Sequence, residues 1–233
     1  MEAKFDRYSK NYGDLLRDPI RDAFAGGAGF FHERKWRLLQ KFFRDRRLDS
    51  TRLRWLDVGS GKGDLLRFGK SDVAQAAGCD PSPGMIEDCA DLAIEHQTDP
   101  LVLPFTAASF DFITAVCVFH HVEPHDRLAL LAEIRRVLAP GGIVSIIEHN
   151  PLNPATRLIV KRTPVDAHAK LLRAGEVESL LRESGLTPFE KQYFLYLPEK
   201  LYRRAGALEN WLKRIPLGGQ YAVFGSKGRA ASG

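Results

Sequence analysis

Apolar and polar positions change rhythm several times along the chain. From Phe5 to Phe24 the pattern is helical, broken at Tyr12-Gly13 and Pro19, and Gly26, Gly27 and Gly29 then predict a flexible joint. A second helix is expected from about His32 to Arg46, with Trp36, Leu39 and Phe43 on one face. After Asp49-Ser50 short apolar runs alternate with helical stretches. Strands are predicted at Leu53–Val58, Ala74–Cys79, weakly near Glu95–Thr98, at Phe110–Val118 and at Ile143–Ile147. Helices are expected from Leu65 onward, over Pro83–Ile94 and over Asp126–Leu138, the last with Leu130, Ile134 and Leu138 in one row and Pro140-Gly141-Gly142 as its stop. The stretch Asn150–Lys170, with three prolines, reads as an irregular insertion. A helix at Ala174–Ser184 closed by Gly185, a strand at Phe189–Leu197, a helix at Glu199–Arg214 and a strand at Gln220–Gly225 complete the pattern. Strands alternating with helices through short turns imply a mostly parallel sheet covered on both faces, an α/β fold with right-handed crossovers.

The chemistry concentrates where the first strand ends. Leu56-Asp57-Val58-Gly59-Ser60-Gly61-Lys62-Gly63 runs from a strand through glycines into a helix, so a ligand can approach the backbone and meet free N–H groups at the helix start. The spacing is not a P-loop: counting back from Lys62 or Lys70 puts Leu56 or Asp64 where the first glycine belongs. Nor is it a dinucleotide fingerprint, since one residue rather than two separates Gly61 from Gly63. Asp80 ends the second strand and can accept hydrogen bonds from both hydroxyls of a ribose; before Pro81-Ser82-Pro83 it would equally serve as a turn former. Strand, glycine turn, strand and acid together predict an adenosine-type ligand across the carboxyl ends of the strands.

These motifs, followed by Leu103-Pro104-Phe105 with Ser109-Phe110-Asp111 and by Val137-Leu138-Ala139-Pro140-Gly141-Gly142, resemble the ordered signature of class I S-adenosylmethionine-dependent methyltransferases from about Leu53 to Ile147. The resemblance implies a Rossmann-like seven-stranded sheet, mostly parallel with its last strand antiparallel. It implies S-adenosyl-L-methionine as cofactor, leaving as S-adenosyl-L-homocysteine. Gly59 and Gly61 would then lie along the methionine and ribose part, Asp57 would hold the amino group, Asp80 the ribose, and Met85 would lie near the adenine. Asp99 stands where the family commonly has an acid for the adenine amino group. The next residue, Pro100, departs from the pattern because it has no N–H to offer the ring.

Methyl transfer requires alignment of the acceptor with the sulfur–methyl bond, exclusion of water and, for a hydroxyl, a base. His120 and His121 close the fourth strand and His149 the fifth, at strand ends that line the ligand crevice of an open sheet. His149 is the first candidate for a base or acceptor-orienting group, His120 and His121 the next; against this stands the ordinary use of imidazoles as partners for backbone groups. Tyr8 and Tyr12 lie on an N-terminal segment, residues 1–50, that reads as a lid or cap hinged at the glycines; packing of both rings on the core is the equal alternative. Residues 51–233 form the cofactor-binding domain, with the insertion near 150–170.

Bulk properties narrow the partners. A length of 233 residues suits one domain. The net charge of +5 comes from scattered basic residues, so no nucleic-acid partner is expected. Cys79, Cys89 and Cys117 make an odd count without metal-ligand spacing, which fits reduced thiols and a cytoplasmic location, as does a charged start, Met1–Lys10, that does not read as a signal peptide. No apolar run reaches membrane-spanning length. The helix at Glu199–Arg214 carries Leu201, Ala205, Leu208, Leu212 and Ile215 in a stripe expected to pack on the sheet, with a basic membrane-touching surface as the alternative. The leading functional expectation is methylation of a small, partly apolar acceptor, with oxygen favoured. The alternatives are an RNA or protein methyltransferase and a catalytically idle adenosyl-binding module.

Overall fold

The computed structural model describes residues 5–228. Residues 1–4, which belong to the expected cap and charged start, lie outside the described part. After a 3-10 stretch at Asp6–Asn11 come α1 (Tyr12–Leu15), α2 (Pro19–Phe24) and the long α3 (Ala28–Asp45). Then follow β1 (Arg54–Val58), α4 (Asp64–Gly69), β2 (Gln75–Asp80), α5 (Pro83–Ile86), β3 (Ile94–His96), β4 (Phe110–Val116), α6 (Arg127–Val137) and β5 (Leu138–His149). The C-terminal part is α7 (Pro154–Arg162), α8 (Ala174–Glu183), β6 (Thr187–Phe194), α9 (Glu199–Ala205), α10 (Glu209–Leu212) and β7 (Gln220–Ser226).

The seven strands form one sheet in the order β3-β2-β1-β4-β5-β7-β6. Pairings from β3 to β5 are parallel, and β7 runs antiparallel to both β5 and β6. Two-residue alternation along each strand sends side chains to opposite layers. Trp55, Phe112 and Phe224 face α3 and meet Trp36, Leu39, Phe42 and Phe43. Their neighbours Leu56, Ile113 and Val223 face α6 and α8, where Leu130, Ile134, Val177 and Leu181 complete the second core. The contact under α3 is largely aromatic, with Phe42 stacked on Phe224 at 4.0 Å and Trp36 tilted against Trp55 at 4.8 Å. α3 is therefore part of the core, and the expected cap over residues 1–50 does not form one separate unit.

Five sequence expectations need correction. Gly29 is inside α3 and Gly27 is its extended N-cap, so the glycine joint is a helix start. The helix expected over Pro83–Ile94 ends at Ile86, because Asp91 is drawn to Arg67 (2.8 Å) and Leu92 packs where a Cβ on Gly63 would lie. Pro140-Gly141-Gly142 does not separate a helix from a strand. Leu138 already pairs with Phe110, the next residues bulge out, and the ladder resumes at Ile143 opposite Phe112. The insertion is not irregular: Pro154 occupies a first-turn position of α7, where it lacks no hydrogen bond, and the Asn153 side chain caps Thr156 N (2.9 Å). The helix at Glu199–Arg214 is broken at Gly206, and its apolar stripe does not pack on the sheet. Leu201, Leu208 and Ile215 are exposed, while Tyr202 and Glu209 make the inward contacts to α3.

Candidate functional site

At the end of β1 the backbone must turn beneath a neighbouring strand. Gly59 has φ +66°, and a Cβ there would meet Val118 Cγ2 at 2.6 Å, so both conformation and space require glycine. Gly61, at φ +52°, donates its N–H to Asp80 Oδ2 (2.8 Å), tying the glycine turn to the end of β2. The other oxygen of Asp80 accepts from Ser82 N (2.9 Å). Asp80 is thus a turn former as well as an acid facing the crevice. Burial raises its pKa, against the two N–H donors. Asp57 is fixed by a relay in which Trp55 Nε1 donates to Thr114 Oγ1 (2.8 Å) and Thr114 Oγ1 donates to Asp57 Oδ1 (2.6 Å). Burial pushes the Asp57 carboxyl up to about 7, against the Thr114 hydrogen bond and the positive charge of Lys35.

A cavity of about 1090 Å³ opens along these strand ends. That exceeds the usual volume for a single small ligand, roughly 300–1,000 Å³. Asp57, Gly59, Gly61, Asp80, Met85 and Asp99 line one part, and His120, His121 and His149 line another. Tyr12 also lines it, and burial raises its phenol pKa. Tyr8 is not among the lining residues; its ring packs edge-on to Phe5 at 6.2 Å and carries the Arg7 guanidinium at 4.6 Å. Asp99 is exposed at the rim, with Oδ1 accepting from Leu101 N (2.9 Å), while the buried Gln97 beside it donates to Pro100 O (2.8 Å). The N-terminal segment reaches the same place: Asp6 Oδ1 accepts from Ser82 Oγ and from Gly84 N (3.0 Å).

The histidine end is densely coupled. β4 is followed by a left-handed residue, Cys117 (φ +58°), a conformation that costs a side-chain-bearing residue roughly 1–2 kcal/mol and re-aims the chain toward His120. His120 Nδ1 donates to Glu148 Oε2 (2.5 Å), and Glu148 Oε1 accepts from Phe119 N (2.7 Å). Asp166, on the 3-10 turn Pro164–Asp166, lies 3.5 Å from His120 Nε2 and 3.3 Å from His121 Nε2. Burial disfavours a charge on His120, but Glu148 and Asp166 together hold its pKa up at about 10. Burial lowers His121, and burial with the charge of His120 lowers His149 to about 4. His149 Nδ1 lies 3.4 Å from Gln220 Nε2.

Sequence reading missed Lys35, Gln97 and Asp166, all of which line the cavity. Lys35 carried a signal, being a cation on the same helix face as Trp36 and Leu39. Asp166 carried none that is local, because only the fold of the 150–170 segment brings it to the histidines.

Comparison with known proteins bears on the part of this arrangement that runs from β1 into β5. Residues 56–146 match a family model described as a methyltransferase domain. Over these residues, which run from β1 into β5, the chain is similar to methyltransferase domains. Among its relatives is a ubiquinone biosynthesis O-methyltransferase of Cereibacter sphaeroides, 28% identical over 162 residues, covering 63% of this chain and 65% of that protein. Another is a mouse (Mus musculus) protein named probable tRNA methyltransferase 9B, 28% identical over 138 residues, covering 57% of this chain and 30% of that protein. The chain thus spans less than two thirds of the length of each. A crystal structure of a SAM-dependent methyltransferase from Archaeoglobus fulgidus shares the fold, with a TM-score of 0.62 at 18% identity over 82% of this chain and 94% of that one. The residues here fit an adenosyl ligand such as S-adenosylmethionine. Three left-handed glycines form the turn, two buried acids flank it, and Ser60 Oγ is buried without a hydrogen-bond partner among the described residues.

Proposed function

We propose that the protein transfers a methyl group from S-adenosylmethionine to an oxygen of a small, partly apolar acceptor. The observation that carries this reading is the single continuous cavity, with the glycine turn and its two acids lining one part and a cluster of imidazoles lining another. In it Asp80 holds the ribose, Asp57 the methionine ammonium, and Lys35 supplies positive charge for the methionine carboxylate. Met85 and Gln97 bound the adenine, with Asp99 at the rim. When bound, the sulfonium provides an electrophilic methyl group, so the protein's work is alignment and exclusion of water.

Leu16, Ile20, Phe24, Phe31 and Ile159 line the acceptor side, which favours an acceptor with an apolar body over a polynucleotide. With Gln220 Nε2 donating to Nδ1, the neutral His149 ring carries its proton on Nε2 and holds an acceptor oxygen as a donor. The chain from Phe5 to Phe24 covers the cavity as a lid, with Tyr12 facing the ligands.

Calorimetric titration with S-adenosylhomocysteine tests the donor half: wild type binds, and Asp80→Ala loses about tenfold or more in affinity, the worth of charge-assisted hydrogen bonds. Equal binding by Asp80→Ala would refute this placement. Incubation of metabolite extracts and of RNA with methyl-labelled donor then separates the acceptor classes, with label expected in the organic-soluble fraction. Label in RNA would overturn the acceptor assignment.

A further inference from the structure

His120, His121 and Asp166 come together at the cavity wall, with both imidazoles close to one carboxylate oxygen. His120 Nε2 and His121 Nε2 lie 3.5 and 3.3 Å from Asp166 Oδ1. Donor atoms of all three residues lie within 4.8 Å of one another. Two ligands of one ion, each about 2.1 Å from it at a tetrahedral angle, stand roughly 3.4 Å apart, the spacing that His120 and His121 show to Asp166. We propose that His120 Nε2, His121 Nε2 and Asp166 Oδ1 form a binding site for a divalent transition-metal ion that holds the acceptor's oxygen; the role for the acceptor rests on the methyl-transfer reading above.

Three further features support the site. The first is the support of His120, whose other nitrogen donates to the fully buried Glu148, itself fixed by Phe119 N. A carboxylate behind a ligating histidine sets the tautomer that presents the Nε2 lone pair to a metal. The second is coordination: three protein ligands leave open positions, and since all three residues line the cavity, those positions are reachable by a ligand in it. The third is the rigidity of the ligand segments. Lys170 N donates to His120 O (2.7 Å) and Arg127 Nη2 to Lys170 O (2.7 Å), so the strand-end loop and the Asp166 segment are pinned to each other. Two nitrogens and one carboxylate suit zinc, manganese or iron(II) better than calcium or magnesium.

An acceptor hydroxyl on the ion loses its proton to solvent more readily. Its oxygen then forms the new O–C bond as the S–C bond of the donor breaks, leaving S-adenosylhomocysteine and the methyl ether. The imidazoles then act as ligands, and the acidity of the acceptor comes from the ion.

The test uses the full chain, stripped with a chelator and titrated with Co²⁺ alone while visible absorption between about 500 and 650 nm is followed, the region of cobalt bound by nitrogen and oxygen ligands. One Co²⁺ per chain is expected, displaced by Zn²⁺. Asp166→Ala and His121→Ala should weaken binding at least about tenfold, and Glu148→Gln about 10–100-fold. His125→Ala, whose imidazole is exposed, should bind as wild type. Far-UV circular dichroism and S-adenosylhomocysteine affinity establish that each variant is folded. Absence of cobalt binding in the wild type, or equal binding by the folded Asp166→Ala and His121→Ala variants, overturns the site. The S-adenosylhomocysteine titration of the wild type separately decides the methyl-donor reading, so the two can fail independently.

Discussion

Asp57 illustrates how one residue sets stability and binding against each other. Its carboxyl is held at about 7 by burial, well above the value of an exposed aspartate, so the folded apo protein takes up a proton that the unfolded chain releases. The stability from this group is complete below about pH 4 and is lost as pH rises through about 7. Replacing it with Asn should raise the Tm of the apo protein at pH 8 by about 4 °C or more and change it little at pH 4.5. A thermal melt at the two pH values checks this. For S-adenosylmethionine the sign is opposite. The ionised carboxylate pairs with the ligand's ammonium, so affinity should tighten between pH 6 and 8 in wild type, with that slope absent in Asp57→Asn. A slope unchanged by the substitution would mean that another group titrates.

Residues such as Asp57, Gly59, Gly61 and Asp80 were legible in the sequence because strand, glycine turn and acid follow one another within a single β-α-β unit. Asp166 and Lys35 were not, because each reaches the cavity from an element whose placement depends on the whole sheet. His149 was legible as a strand-end residue. What surrounds it, the imidazole of His120 and the amide of Gln220, comes from strands and turns far apart in the chain.

Among the elements, the C-terminal pair α9 and α10 departs most from its pattern. An apolar stripe at helical spacing ordinarily marks a buried face, yet here a polar anchor sets the position. Arg34 of α3 is buried, pairs with Glu209 and lies over the Tyr202 ring at 3.5 Å. The second oxygen of Glu209 accepts from Tyr196 N (3.0 Å) and Leu197 N (2.9 Å). This network holds the segment from the inside, and Leu201 and Leu208 are left outward. Removing one partner of a buried pair leaves the other charge uncompensated, at a cost of about 3–5 kcal/mol. Glu209→Ala should therefore lower the urea midpoint strongly, whereas Leu208→Ala, at an exposed position, should stay within about 0.5 kcal/mol of wild type. Equal effects from the two would show that the apolar stripe, not the ion pair, anchors the segment. The strands and the helices α3, α6 and α8 followed the sequence because apolar periodicity and burial agree in them. α9 and α10 did not, because one long-range charge pair overrides a local pattern.

Across the molecule the three tryptophans report on two environments. Trp36 and Trp55 are buried on either side of the α3–sheet contact, while Trp211 is 87% exposed. Emission should contain a red component quenched by acrylamide, removed by Trp211→Phe with no loss of stability. A blue, quencher-resistant component should persist until global unfolding. If Trp211→Phe left the quenchable fraction intact, the exposed placement of α10 would be wrong. No helix among the described residues is long and apolar enough to cross a membrane.

The strand order carries a consequence for how the chain is made. β7 follows every other strand in sequence yet lies between β5 and β6, paired antiparallel with both. A chain emerging from the ribosome amino end first has β5 and β6 available before β7, with no ladder to join them. Until β7 arrives, the apolar edge of β5 stays bare, and Gln220 is not yet beside His149. Assembly of the outer sheet and completion of the acceptor side of the cavity are thus one late event, and the nascent protein before it is a natural client for a chaperone.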